Sequence, residues 1–299
     1  MTVDDIITKI KALGDVPGAD IFIMGYSLLG RPMYGVHIGS YSGDQILIQG
    51  AIHAREYITS LLLIEQIRYI STQQWSGGFY FIPLMNPDGV ALVLGGVDTV
   101  PCDAMRQNLL YVNGGNTSFG DWKADAYAVD LNVNFDADWG QGDQNVFCPA
   151  PGNFVGYYPE SEREVQELVA FANKVKPSMT ISYHTRGEVI YYGFEGQTDE
   201  ELARDNAIAS NIAEVTGYEI LRSFGSVGGF KDWTTRHLRI PAVTIEVGNF
   251  SMSSPITEEY LPEIFQQNKD VPIVAMNSIL NIASERAGKK RGRWANFWK

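Results

Sequence analysis

The sequence predicts a single α/β domain, built on a central, mixed but mostly parallel twisted sheet with helices on both faces. Three observations lead there. Short apolar runs alternate along the chain with segments of helical periodicity, the pattern of strands and helices layered in one domain. Hydrophobic residues make up 45% of 299, enough for a large core and too many for a disordered chain. No stretch approaches the roughly 20 apolar residues of a membrane span, so no transmembrane segment is expected.

Taken in order, residues 4–13 read as a short helix, and 20–24 and 34–38 as strands around the turn Leu29-Gly30-Arg31-Pro32. The run 45–52 reads as a buried strand, 56–70 as a helix and 78–83 as another strand. Residues 86–158 are rich in Gly, Asn and Asp with few periodic segments; a loop region that long inside a compact domain is usually functional. Ser161-Glu162-Arg163-Glu164 has the form of a capping box opening a helix to about Val175, and Thr198-Asp199-Glu200-Glu201 that of a second, opening a helix to about Thr216. Residues 179–183 and 242–245 are apolar strands, and a short helix after Gly228-Gly229 ends near His237. Residues 257–284 are mostly helical, interrupted near Pro272.

The chain divides into a domain over 1–285 and a tail over 286–299. Net charge is −12, which argues against nucleic acid as a partner. The tail holds six basic residues, two Trp and a Phe, leaving 17 basic against 35 acidic residues in the body. Such a tail suits an anionic polymer or membrane surface, or is simply a poorly ordered terminus. The acidic start Met1-Thr2-Val3-Asp4-Asp5 lacks a signal peptide's apolar region, so a cytoplasmic chain is expected, or the mature form of an exported one. Cys102 and Cys148 lack metal-site spacing; one loop disulfide and two free thiols are both open, with free thiols favoured by the missing export signal.

Chemistry concentrates where strands end. His53 and Glu56, in His53-Ala54-Arg55-Glu56, lie three apart after an apolar strand and share a face of the turn that follows. His184 and Glu246 each close another apolar strand, and a Glu in that position is costly unless paired or functional. His37 and His237, inside a strand and near a helix end, fit structural roles. Two His and two Glu at the carboxyl ends of strands supply a His₂Glu metal site and a spare carboxylate, which a zinc hydrolase uses as general base.

With those residues in view, the chain resembles the zinc metallocarboxypeptidases. The motifs that carry the likeness, in order, are Gly25 to Pro32 as a variant G-x-S-x-x-G-R-P, H-A-R-E at 53–56, Asn86-Pro87-Asp88-Gly89, Trp122-Lys123, Val129-Asp130-Leu131-Asn132, Ser182-Tyr183-His184, Gly228-Gly229 with Asp232-Trp233, and Thr244-Ile245-Glu246. The resemblance implies one zinc per chain on His53, Glu56 and His184, with Glu246 as general base and proton donor. It implies that Arg55 contacts the non-leaving side of the substrate and that Asn132 binds a carboxylate of the leaving group. Lys123 stands where the family has an Arg that holds the oxyanion; lysine brings the charge without the bidentate fork.

Three positions depart from the family pattern. Val133 replaces the Arg that clamps a C-terminal carboxylate, a charged hydrogen bond worth about 1.5–3 kcal/mol. Phe224 aligns with a Tyr that covers the substrate. Lys231 aligns with the base of the leaving-residue pocket, where a cation favours a side chain ending in negative charge. Tyr183 to Tyr191 and the Gly-Gly-Phe-Lys-Asp-Trp segment are similar to bacterial γ-D-glutamyl-diamino-acid endopeptidases. The resemblance therefore implies a peptide substrate, the γ-D-Glu–meso-diaminopimelate bond of peptidoglycan stem peptides or their fragments. The alternatives are a conventional carboxypeptidase that uses Arg106 or Arg186 for the terminal carboxylate, a zinc amidohydrolase, and a metal-free wall-binding module.

Overall fold

The structure, a computed structural model, describes the backbone of residues 1–295 and the side chains of residues 1–284. The chain opens with helix α1 (Val3–Lys11), closed at its start by a Thr2–Asp5 capping box. Strands β1 (Ala19–Tyr26), β2 (Pro32–Gly39) and β3 (Gln45–Gln49) follow, then α2 (Ile58–Ile70) and β4 (Gly78–Ile82). Next come α3 (Pro87–Gly95), α4 (Asp103–Val112), α5 (Arg163–Val175), β5 (Met179–Thr185) and β6 (Val189–Tyr192). Then α6 (Asp199–Thr216), β7 (Glu219–Arg222), α7 (Phe230–Trp233), β8 (Ala242–Val247), α8 (Leu261–Asn268) and α9 (Val271–Ala295) complete it.

One sheet holds all eight strands in the order β1-β2-β4-β3-β5-β8-β6-β7. The neighbours β4-β3, β3-β5, β5-β8 and β6-β7 are parallel, and the other three pairings are antiparallel. Successive side chains of β3 enter opposite layers, as the period of two requires. Ile46 and Ile48 join one buried core with α1, α2, α6, α8 and α9, and Leu47 joins the other with α5 and α7. A third cluster, with Ala54, Leu92, Leu109 and Trp122, packs under the loops beyond the sheet. The chain runs from β3 to β4 on one side and then to β5 on the other, so the strand order reverses at the β3–β5 boundary. Binding sites in open α/β sheets form at the carboxyl ends of strands around such a point.

Several expectations are corrected. The strand expected over 45–52 stops at Gln49, because Ala51 takes a left-handed φ of 51° and gives its N–H to the Thr59 hydroxyl at 2.7 Å. His53 therefore lies beyond the strand, before a 3₁₀ turn over Ala54–Glu56, and not at its last position. The region 86–158 contains two helices: α3, with Asn86 capping Gly89 N–H at 2.8 Å, and α4. The capping box expected at Ser161 does not form. Its hydroxyl donates to Glu162 at 2.6 Å and accepts from Asn134, and Glu162 stands at the cap. The box at Thr198 does form. Strands β6 and β7, four residues each, carried too little pattern to be read in advance. Helix α9 runs without a break past residue 285, so the expected tail begins inside it; residues 296–299 lie outside the described residues. Cys102 and Cys148 are free and exposed. Among the described residues no helix is long and apolar enough to cross a membrane.

Candidate active site

Three elements at the carboxyl side of the sheet bring the expected ligands together. The loop after β3 brings His53 to the cap position of the 3₁₀ turn that holds Glu56, and β5 carries His184. Backbone hydrogen bonds from Ala54 to Lys123 O (3.0 Å) and from Arg55 to Trp122 O (2.9 Å) fix the turn against the following loop. His53 Nδ1 lies 3.1 Å from Glu56 Oε1, and His184 Nδ1 lies 3.1 Å from Glu56 Oε2. The two imidazole Nδ1 atoms are 3.0 Å apart. The three side chains are buried, and each offers a ligand atom within 4.8 Å of the others. Two ring nitrogens that close cannot both present protons to each other. A cation shared with the carboxylate resolves the contact, so this donor set fits zinc.

Asp130 fixes the orientation of His53. Its Oδ1 lies 3.1 Å from His53 Nε2, which sets the proton on Nε2 and leaves the Nδ1 lone pair facing the centre. Asp130 is itself held by the N–H groups of Asn132 (3.1 Å) and Asn153 (2.9 Å) and lies 3.6 Å from Lys123 Nζ. Burial works against charge on His53, but Glu56 and Asp130 outweigh it and raise the imidazole to about 9; a cation bound at Nδ1 would take the place of that second proton. Burial alone would raise Glu56, yet the facing imidazoles hold it well below the usual carboxylate range. Asp130 is likewise held low against burial by His53 and Lys123.

Glu246 is delivered by sheet register. β8 runs parallel to β5 with His184 opposite Glu246, so the spare carboxylate stands beside a metal-ligand candidate. It is half-buried, with its carboxyl on a cavity wall. Burial first, and the nearby Glu56 charge second, raise it to about 8. A carboxyl beside the candidate ligands and open to the cavity is placed where it can accept a proton and later donate it.

The cavity in front of these groups has a volume of about 380 Å³. Its wall includes Lys123, Asn132, Val133, Tyr191, Phe224, Lys231 and Asp232. Gly228, at φ +85°, lets the loop before α7 approach closely, since a Cβ there would meet the Val133 carbonyl at 3.0 Å. Asn132 Oδ1 receives the Phe230 N–H at 3.4 Å. Lys231 is buried. Its ammonium donates to Gly193 O at 2.7 Å and to Asp232, so the pocket presents a compensated pair and not a bare cation. Phe224 is 77% exposed at the rim, against Arg222. Arg55 is half-buried and does not line the cavity. His37 bonds Gln45 at 3.2 Å, and His237 donates to Asp136 O at 2.7 Å; both are structural.

Sequence reasoning quoted Asp130 within a motif but gave it no role; its signal was a buried acid two residues before Asn132. Asp143, Gln144 and Asn145 also line the cavity, and nothing in their Gly-rich segment marked them.

Comparisons with known proteins agree with this geometry. The family model described as zinc carboxypeptidase matches residues 16–270. The chain is 29% identical over 251 residues to a protein of Lysinibacillus sphaericus named gamma-D-glutamyl-L-diamino acid endopeptidase 1, covering 79% of this chain and 62% of that one. It is 30% identical over 260 residues to the uncharacterized protein YqgT of Bacillus subtilis, covering 80% of this chain and 68% of that one. The carboxypeptidase A structure from Helicoverpa armigera superposes with a TM-score of 0.70 at 17% identity, covering 93% of this chain and 72% of that one. With the family model spanning most of its length and the two-histidine, one-glutamate cluster at its centre, this chain belongs to the zinc carboxypeptidase family.

Proposed function

We propose that this zinc peptidase hydrolyses the γ-D-Glu–meso-diaminopimelate bond of peptidoglycan stem peptides or their fragments. The observation that carries the reading is Val133 on the cavity wall, where a carboxypeptidase needs a guanidinium for the terminal carboxylate. The Lys231–Asp232 pair on the same wall supports it. Cation and anion side by side suit a leaving residue whose side chain ends in both an amino group and a carboxylate, as diaminopimelate does. The name of the Lysinibacillus relative points the same way.

In this reading His53, Glu56 and His184 hold one zinc ion, which acts as a Lewis acid toward the scissile carbonyl and acidifies water. Glu246 takes the proton of the attacking water and returns it to the leaving amine. Lys123, 3.6 Å from Asp130, brings positive charge to the developing oxyanion. Asn132 hydrogen-bonds the leaving residue, and Arg55 contacts the acyl side.

The conventional carboxypeptidase reading needs another cation for the terminal carboxylate. Arg106 donates to Val100 O (2.6 Å) and Asp103 (3.3 Å), and Arg186 donates to Met252 O; neither lines the cavity. Mass spectrometry of products from L-Ala-γ-D-Glu-meso-diaminopimelate, with and without a terminal D-Ala, tests the choice. Release of L-Ala-γ-D-Glu from both peptides is expected. Release of D-Ala alone would establish the carboxypeptidase instead.

A further inference from the structure

Arg55 is a half-buried guanidinium that forms no hydrogen bond or ion pair with its side chain among the described residues, although its backbone is fixed. The other cations near the centre are engaged. Lys123 is 3.6 Å from Asp130, Lys231 is held by Asp232 and Gly193, and Arg186 is bonded to Met252 O and lies 5.8 Å over the Phe250 ring. Arg55 stands between the candidate ligands His53 and Glu56 in the 3₁₀ turn, and its charge acts on the Glu246 carboxyl. It is nevertheless absent from the wall of the leaving-residue cavity. The proposed mechanism gives it the acyl side of the reacting centre. A guanidinium with five donors and no partner, partly withdrawn from water, is suited to a carboxylate brought by the substrate.

Substrate chemistry supplies one. A residue joined through its γ-carboxyl keeps a free α-carboxylate three carbons from the scissile carbonyl carbon. Among ordinary α-linked residues only glutamate has a carboxylate at that separation, and there the amino group sits on the carbon next to the scissile carbonyl. We infer that Arg55 binds this free α-carboxylate of the acyl-side residue, and so selects bonds made through a side-chain carboxyl over ordinary peptide bonds. The inference rests on the proposed γ-glutamyl substrate and adds the group that reads the linkage. It also implies that amidation of the α-carboxyl, which removes the charge without touching the scissile bond, protects the substrate.

The test uses two tripeptides, L-Ala-γ-D-Glu-meso-diaminopimelate and the same peptide with the glutamyl α-carboxyl as a primary amide. Wild type is expected to favour the acid in kcat/KM by roughly 10- to 150-fold, the value of a charged hydrogen bond. Arg55→Gln should bring the ratio close to one with zinc content unchanged, and Arg55→Lys should keep part of it. Equal cleavage of acid and amide by wild type overturns the assignment while the proposed bond stands, and this needs no variant to fold. A zinc-loaded Arg55→Gln that keeps the full preference also overturns it. Cleavage of neither tripeptide overturns both the inference and the reading it rests on.

Discussion

Two sets of buried carboxylates, each with one member in the loop 122–130, are pushed in opposite directions: Glu56 and Asp130 toward the ionised form, Asp125 and Glu164 toward the protonated one. Glu56 and Asp130 sit against His53, His184 and Lys123 and are kept ionised although water is excluded. Asp88, Asp125, Glu162 and Glu164 are just as buried, but among the described residues the one cation paired with them is Arg31, 2.5 Å from Asp88. In that second group burial raises Glu164 to about 7 and Asp125 well above its ordinary value, with the neighbouring acids adding to both. One oxygen of Asp125 and one of Glu164 have no partner among the described residues. Residue type and burial are the same in both places; the partners decide whether the group carries charge. The first arrangement gathers a cation. In the second, Asp125 and Glu164 are pushed toward the protonated form, and Glu164 ties the N-terminus of α5 to the turn at Leu28, whose N–H donates to it at 2.9 Å.

Four measurements would break or sharpen this contrast. The largest effect belongs to Glu246, the raised carboxyl that the proposed mechanism uses as base. Glu246→Gln should lower kcat by about 10⁴-fold or more, at the top of the general acid–base range, with zinc content unchanged. A variant keeping over about a tenth of wild-type kcat means that another group is the base. Next is Asp130→Asn, which keeps shape but withdraws the charge behind His53. Zinc affinity should weaken about 10- to 100-fold in a competitive chelator titration. Unchanged affinity would show that the His53 orientation does not depend on Asp130.

The third measurement is Lys231→Met, read as the preference for meso-diaminopimelate over L-Lys as leaving residue. It should shrink by about 10-fold or more while zinc stays bound; an unchanged preference removes Lys231 from recognition. The fourth and smallest concerns the proton-holding group. Glu164 is raised from its ordinary 4.5 to about 7 on folding, so the folded chain keeps a proton that the unfolded chain has released. This costs nothing below about pH 4.5, grows as pH rises, and is complete above about pH 7, at on the order of 3 kcal/mol. Glu164→Gln should therefore gain several degrees in Tm relative to wild type between pH 5 and pH 8. A constant difference across that range would show that Glu164 is ionised in the fold at both pH values.

Most of the scaffold was legible because apolar periodicity is a local property. The strands at 20–24, 34–38, 78–83, 179–183 and 242–245 and the helices starting near 58, 163 and 199 stand where their side-chain patterns place them. The ligand set His53, Glu56 and His184 was legible for a related reason, since few residue types serve zinc and they fell at or just beyond strand ends. What misled was local geometry overriding pattern. Ala51 turns left-handed and ends β3 early, and Asn134 takes the Ser161 hydroxyl that a capping box would have used.

The sequence by itself determined the α/β class and the candidate ligand types at strand ends, because each follows from which residues are present and how they are spaced; the missing guanidinium at Val133 is legible only through the resemblance to the family. Only the tertiary structure decided charge and pairing. The β5–β8 register placed Glu246 beside His184 across 62 positions of sequence, and the fold at Asp130 gave His53 its orientation. Asp232, next in sequence, neutralises Lys231, while the Arg55 side chain, flanked by two candidate ligands, has no hydrogen-bond or ion-pair partner among the described residues. No spacing rule anticipates these outcomes, because the strength and sign of an electrostatic contact depend on distance and on water excluded by distant segments.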